Sequence, residues 1–419
     1  MNDELTLAVT LVQTGQYEEG LQKLKALLAK SDDETAFQIA SLYEEWGMVD
    51  EAYKILSRLA QKHQGDSHIL LSLAESAIDL NREDEAVEWL LKIHPLDENY
   101  LSAQVLLADL YQAQGFEEAA HRHLMLAKKQ APNEPIIDFA LAEFYFSFGY
   151  YGKAEDRYKA VLHAESLAHE NIPLKLAECL SLNGKFEEAL IYYKKGLERE
   201  KTPDGLFGLA VTAMRIEKYQ TAIRALTELK AMDPDYSTLY PVLAEAYEKE
   251  KAYEEALSVL EDGLKVDEQN ERLLLMAGDL AVKMNQQEKA EWFYERLLEW
   301  NPEHTEALKK LLTLKKEAGK TAEIIQRLTQ DEADDPEILW YLAEAYRAEE
   351  ELEKALSIFS SIKDYFRGDP DFLESYGQTL WELGQRELSL EVFEQALEID
   401  GTNETLRDFV ERIRQENFG

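Results

Sequence analysis

The sequence of 419 residues predicts an all-α fold, an α-solenoid, and three observations carry that expectation. Apolar residues recur at i, i+3, i+4, i+7 nearly throughout, with no alternating run long enough for a sheet. Nearly identical words return along the chain: LAEFY at 141–145, LAECL at 176–180, and LAEAY at 243–247 and 342–346. Each is followed by a turn and an Ala-centred second segment, such as GKFEEAL at 184–190 or KAYEEAL at 251–257. A period close to 34 residues marks a stack of repeated helical hairpins.

Repeat starts at 1, 33, 67, 101, 135, 170, 203, 237, 271, 305, 336 and 370 divide 1–401 into twelve repeats and leave a tail, 402–419. Position 7 of a repeat is Leu nine times, and position 8 is Ala or Gly in all but the tenth repeat. Position 20 is Ala nine times, so small residues on both helices let the backbones nest ridge into groove. Position 24 is large and apolar in every repeat, from Leu24 to Phe393, an outcome with a chance probability of roughly 10⁻⁴ at this composition. Position 15 is Gly or Asn in nine repeats, where the chain leaves the first helix through a left-handed conformation. Acid pairs such as Glu117-Glu118 and Glu187-Glu188 sit at the start of the second helix, against the positive end of its dipole.

This pattern resembles the tetratricopeptide repeat family over residues 1 to about 401. The family's Tyr at position 11 is met by Tyr43, Tyr111, Tyr145, Tyr247 and Tyr346, and its Pro at position 32 by Pro132, Pro234 and Pro302. The stand-alone YpiA-like repeat proteins of Gram-positive bacteria are the most similar kind. The resemblance implies a right-handed superhelix whose first helices line a concave groove. The tail reads as one more amphipathic helix, with Leu406, Phe409, Val410 and Ile413 on one face, capping the open end of the stack.

The tenth repeat breaks the pattern. Leu312 replaces the small residue at position 8, Ile324 replaces Ala at position 20, and Lys309, Lys310, Lys315, Lys316 and Lys320 gather in an acidic chain. Asp331, Glu332, Asp334, Asp335 and Pro336 follow as a charged linker. Two readings stand for 305–335: a drifted repeat with solvated or paired lysines, or a hinge.

Composition narrows the function. Lys and Arg total 45 against 83 Asp and Glu, a net charge of -38, which repels phosphate backbones and anionic lipid. Neither nucleic acid nor a membrane is an expected partner. The single cysteine, Cys179, excludes an internal disulfide and a cysteine-rich zinc site. No basic leader and no apolar stretch of about 18 residues is present, and a soluble, cytoplasmic protein is expected. Phosphate cradles, nucleophile elbows and zinc-protease spacings are missing, so neither enzymatic activity nor a cofactor is expected. His121 and His123, two apart on a helix, diverge by about 200° and make a poor metal pair.

Within the family, positions 2, 5, 9, 12 and 13 point into the groove. At about 100° per residue, positions 2, 5, 9 and 12 lie roughly 130° from the packing set 4, 7, 8 and 11, in agreement. Position 9 is acidic in seven repeats: Glu75, Asp109, Glu143, Glu178, Glu245, Asp279 and Glu344. Positions 5 and 12 add Phe37, Phe139, Phe207, Trp340, Phe146 and Trp381. Acids interleaved with rings can hold a basic protein or peptide segment by charge-assisted hydrogen bonds and cation-π contact. They can equally be ordinary repeat vocabulary, with the rings packing on adjacent first helices. The Lys at position 5 and Asn at position 9 of the family's chaperone-tail clamps are absent, apart from Lys309. A non-enzymatic scaffold or adaptor is therefore expected, with a regulator whose superhelical pitch responds to peptide as the alternative. The sequence is silent on oligomeric state.

Overall fold

A computed structural model describes the backbone of residues 3–330 and 334–418 and the side chains of 3–328 and 334–414. The linker residues Asp331 and Glu332 therefore lie outside the described residues. Every regular element described is helical. In order they are α1 (Asp3–Gln13), α2 (Tyr17–Leu28), α3 (Asp33–Glu45), α4 (Val49–Lys62), α5 (Ser67–Asp79), α6 (Glu83–Leu90), α7 (Tyr100–Ala113), α8 (Glu117–Gln130), α9 (Pro135–Ser147), α10 (Tyr151–Val161), α11 (Ile172–Leu182), α12 (Phe186–Arg199) and α13 (Pro203–Arg215). There follow α14 (Tyr219–Met232), α15 (Leu239–Lys249), α16 (Tyr253–Val266), α17 (Glu271–Lys283), α18 (Gln287–Trp300), α19 (Thr305–Glu317), α20 (Thr321–Gln330), α21 (Pro336–Ala348), α22 (Leu352–Ile362), α23 (Pro370–Glu382), α24 (Arg386–Ile399) and α25 (Glu404–Phe418). Two compact units divide the chain, Met1–Ala225 and Leu226–Gly419, and each is described by itself.

Local chemistry sets the helix ends. Asp32, Asp66, Asn270, Asp335 and Asp369 accept hydrogen bonds from backbone N–H groups in the first turns of α3, α5, α17, α21 and α23. Pro135, Pro203, Pro336 and Pro370 open α9, α13, α21 and α23, where a missing N–H costs nothing. Position 15 takes positive φ in all twelve repeats, including those where it is neither Gly nor Asn: Glu217, Lys251 and Glu350 have φ near 60°. The turn geometry is thus imposed by the packing of the two helices it joins, even against the local preference of the residue.

In the N-terminal unit α1 packs on α2, α3 on α4, α5 on α6, α7 on α8, α9 on α10 and α11 on α12; in the C-terminal unit α15 packs on α16, α17 on α18, α19 on α20, α21 on α22 and α23 on α24. The small residues at positions 8 and 20 are buried at these contacts, as at Ala40 and Ala52 or Ala74 and Ala86. A Cβ added to Gly278 at position 8 would sit 2.3 Å from the Tyr294 ring, which shows how closely α17 and α18 approach. At position 24, Leu24, Leu56, Tyr158, Tyr294, Phe359 and Phe393 are buried, each large side chain contributing about 1.5–3 kcal/mol on removal from water. Leu406 and Val410 of α25 are buried, and Phe409 meets Trp381 and Phe393 edge-on.

First helices also touch their successors: α3 with α5, α7 with α9 and α11 with α13 in the N-terminal unit, α15 with α17, α19 with α21 and α21 with α23 in the C-terminal unit. No comparable contact joins successive second helices within either unit among the described residues. The first helices therefore crowd together on one side of each unit, and their non-packing positions form that side's surface.

Candidate functional site

The position-9 acids divide into two chemical kinds. Glu75, Asp109 and Glu178 are exposed, whereas Glu143, Glu245, Asp279 and Glu344 are half-buried. Glu143 accepts from the Tyr158 hydroxyl at 2.5 Å and from the Lys175 ammonium at 3.0 Å. Asp279 repeats that arrangement, accepting from Tyr294 at 2.7 Å and Lys310 at 2.6 Å. In each case the Tyr is position 24 of the same repeat and the Lys is position 6 of the next. Burial, reinforced by the facing carboxylate, raises the pKa of both tyrosines. Where one member is missing the acid stays open: Glu178 is followed by Tyr193 at position 24 but by Gly208 at position 6, and Tyr193 engages Thr212 instead.

In the N-terminal unit Glu44, Glu75 and Asp79 repel one another. Burial, then the charges of Glu44 and Asp79, raise the pKa of Glu75; burial and Asp79 raise that of Glu44 despite a hydrogen bond from Ser76. Burial and the charge of Glu143 push Asp109 up to about 6. Glu178 is also raised, by burial first, with Lys175 opposing and Glu143 and Asp204 adding repulsion. No Lys or Arg pairs with Glu44, Glu75, Asp79 or Asp109 among the described residues. Glu44 and Asp79 occupy positions 12 and 13, so the groove register places them here, although the sequence reading took only rings from position 12. Tyr158, Lys175, Tyr294 and Lys310 were missed because their role needs three residues from two repeats to meet.

Phe37, Phe139, Phe146, Phe207, Trp340 and Trp381 are all half-buried, presenting part of each ring. Lys175 stands over the Phe139 ring at 5.4 Å while Tyr158 meets that ring edge-on. Phe146 packs on Tyr151, and the Trp340 ring lies 5.1 Å from Phe366 with its N–H directed to Glu344 at 3.4 Å. Arg386 covers Trp381 at 5.2 Å. Glu344 is well covered, its side chain 11% exposed. Burial alone would raise its pKa, but Ser375, Lys316 and Arg347 outweigh burial and hold it low.

The lysines of the tenth repeat are all engaged within the C-terminal unit. Lys309 pairs with Asp335 and Glu337, Lys310 with Asp279 and Glu306, and Lys316 with Glu344. Lys315, 6% exposed, is held by Glu291, Glu295 and Glu323 at 2.7–3.0 Å, and Lys320 shares Glu291. Paired lysines therefore account for that patch without a separate ligand. Cys179 is buried with its thiol donating to the Tyr151 carbonyl, and burial together with Glu155 and Glu178 pushes it up to about 12. His121 meets the Tyr145 hydroxyl and His123 the Gln104 side chain, so the two rings serve different partners. Among the described residues no group of three or more His, Cys, Asp or Glu is disposed to hold a metal ion, and no helix is long and apolar enough to cross a membrane.

Comparison with known proteins follows the same pattern. Residues 112–166 match the model of YpiA-like tetratricopeptide repeats and 336–403 that of YpiA-like C-terminal tetratricopeptide repeats, while 207–270 and 248–315 match general tetratricopeptide repeat models. The chain is 36% identical to the TPR repeat-containing protein YpiA of Bacillus subtilis over 420 residues, 99% of each chain. Similar solved structures include Naa15/Naa10 bound to HypK-THB, 16% identical over 99% of this chain and 66% of that one with a TM-score of 0.37. YrrB, described as a TPR protein with an unusual peptide-binding site, is 18% identical over 44% and 96% of the two chains, with a TM-score of 0.39. A tetratricopeptide repeat protein from Parabacteroides merdae is 17% identical over 59% and 98%, with a TM-score of 0.42.

Proposed function

The chain belongs to the YpiA-like tetratricopeptide repeat family, and from that premise we propose that it is a non-enzymatic scaffold or adaptor whose first-helix surface binds a basic segment of another protein. Tetratricopeptide repeats generally mediate protein–protein interaction. The observation that carries the finer reading is the set Glu44, Glu75 and Asp79, like charges that repel one another with no Lys or Arg paired to them among the described residues, together with Asp109 in the same unit, which faces the charge of Glu143. Such a cluster costs folding free energy and is relieved when a ligand supplies positive charge. Glu143 and Asp279, by contrast, already have their cations and serve chiefly to lock consecutive repeats together. In the same unit the half-buried rings of Phe37, Phe139, Phe146 and Phe207 offer apolar and cation-π contact. Cys179, buried and with its thiol held protonated, is unfit as a nucleophile.

Affinity capture from a cell lysate tests this, with the intact protein and with a bait carrying Glu75→Lys, Asp109→Lys and Glu178→Lys. All three positions are exposed, and circular dichroism checks that the altered bait keeps its helices. Proteins lost only from the altered bait are groove ligands and should carry basic segments. Recovery of the same set by both baits would move the binding surface elsewhere.

A further inference from the structure

One pocket in each unit is assembled from the same repeat positions. In the N-terminal unit a cavity of about 340 Å³ is lined by Glu34, Phe37, His63 and Asp66 among others. In the C-terminal unit a cavity of about 240 Å³ is lined by Glu337, Trp340, Phe366 and Asp369, with Glu344 beside them. Glu34 and Glu337 are position 2 of their repeats, and Phe37 and Trp340 are position 5. His63 and Phe366 stand four residues before the next repeat begins, and Asp66 and Asp369 one residue before it. Two rings and two carboxylates thus recur as a set, although the rings differ in chemistry.

The repeat itself holds these groups in place. Asp66 accepts from the backbone N–H groups of His68 and Ile69, and Asp369 from that of Phe372. Each capping carboxylate is fixed at its helix start and keeps lone pairs for a further donor. Trp340 is wedged against Phe366 and Phe372, with centroids 5.1 and 5.4 Å away. Cavities of this size lie at or below the lower limit of small-molecule sites and suit one long side chain. A ring face beside two carboxylates matches a planar cation that can stack and donate in a fork; an ammonium does only part of this.

Building on the groove reading, we propose that each pocket receives one arginine side chain of the bound peptide. Its guanidinium stacks on Phe37 or Trp340 and donates to Glu34 and Asp66, or to Glu337 and Asp369. The N-terminal pocket is the tighter one. There Lys62 and His63 both pair with Asp33, which also lines the cavity, and Glu34 and Asp66 have no Lys or Arg paired to them among the described residues. In the C-terminal pocket Lys309 already pairs with Glu337 and Lys316 with Glu344, so an arriving cation must compete.

Fluorine NMR of the full chain labelled with fluorophenylalanine and fluorotryptophan reads both pockets, the Phe37 and Trp340 signals being assigned by their loss in F37L and W340F. The probes are a short Gly-Ser peptide carrying one Arg, the same peptide with Lys, and the same peptide with citrulline, the neutral isostere. The Arg peptide should shift both signals saturably, the Lys peptide should bind about three- to tenfold more weakly, and the citrulline peptide should shift neither. Glu34→Gln and Glu337→Gln, both at exposed positions, should each weaken their own pocket by about three- to tenfold and leave the other unchanged. Equal shifts with citrulline, or no shift with Arg, would overturn the assignment. A longer Lys/Arg peptide titrated into the same samples separates the two levels: if it binds while Phe37 and Trp340 stay silent, the pockets fall and the groove stands; if it too fails to bind, both fall.

Discussion

Replacing Asp109 with Asn isolates the cost of charge on the candidate surface. Burial, then Glu143, move this carboxyl from its ordinary 3.8 to about 6, which corresponds to about 3 kcal/mol against the ionised form. Asp109 is also exposed to solvent, so screening reduces the recoverable amount to about 1 kcal/mol. Linkage sets the sign. The folded chain keeps this proton up to about pH 6 while the unfolded chain releases it near 3.8, so stability falls as pH rises through that window and the deficit is complete above it. D109N should therefore be more stable than the parent by about 1 kcal/mol near neutral pH, with the difference fading towards about pH 4. Urea denaturation across that range measures the difference, and hydrogen exchange in α7 and α9 locates it. The same variant should bind a basic peptide more weakly. Lower stability in D109N at neutral pH, or a difference that ignores pH, would refute the reasoning.

Three other perturbations bear on the scaffold. Gly278→Ala should cost about 1–3 kcal/mol by urea denaturation, since the added carbon meets the buried Tyr294 ring at 2.3 Å; an unchanged midpoint would show that α17 and α18 have room to spare. Lys315→Ala should cost about 3 kcal/mol and speed hydrogen exchange in α18–α20, because it strips the shared cation from Glu291, Glu295 and Glu323; a loss under about 1 kcal/mol would mean the acids find water instead. Lys251→Gly should stabilise by about 0.5–1 kcal/mol, since φ of 61° strains a residue with a Cβ, and a destabilised variant would show that the Lys251 side chain contributes more than its backbone costs.

Much of the helical architecture is legible in the sequence because its determinants are local and repeated. Small residues at positions 8 and 20, a large one at position 24 and a turn at position 15 each state a packing requirement on their own. The left-handed turns at Glu217, Lys251 and Glu350 are not legible in the same way, since tertiary packing there overrides the preference of the residue. The acid row at position 9 can be read from periodicity, but its division into paired and open members cannot. Whether Glu143 or Glu178 meets a lysine depends on position 6 of the following repeat, Lys175 in one case and Gly208 in the other. The lysines near Lys309 looked like a patch because charge counting ignores geometry, whereas in space each faces a carboxylate. The ring of His63 or Phe366 lies between a second helix and the next first helix, where the repeat has no core position to draw attention to it.

The central claim, that unneutralised carboxylates on the first helices capture positive charge, is tested most directly by calorimetric titration of an unstructured Lys/Arg peptide at several salt concentrations. The parent chain should bind with an affinity that falls steadily as salt rises, and the chain with Glu75→Lys, Asp109→Lys and Glu178→Lys should lose binding at every salt concentration. Affinity that is indifferent to salt, or equal for the two chains, would contradict the account.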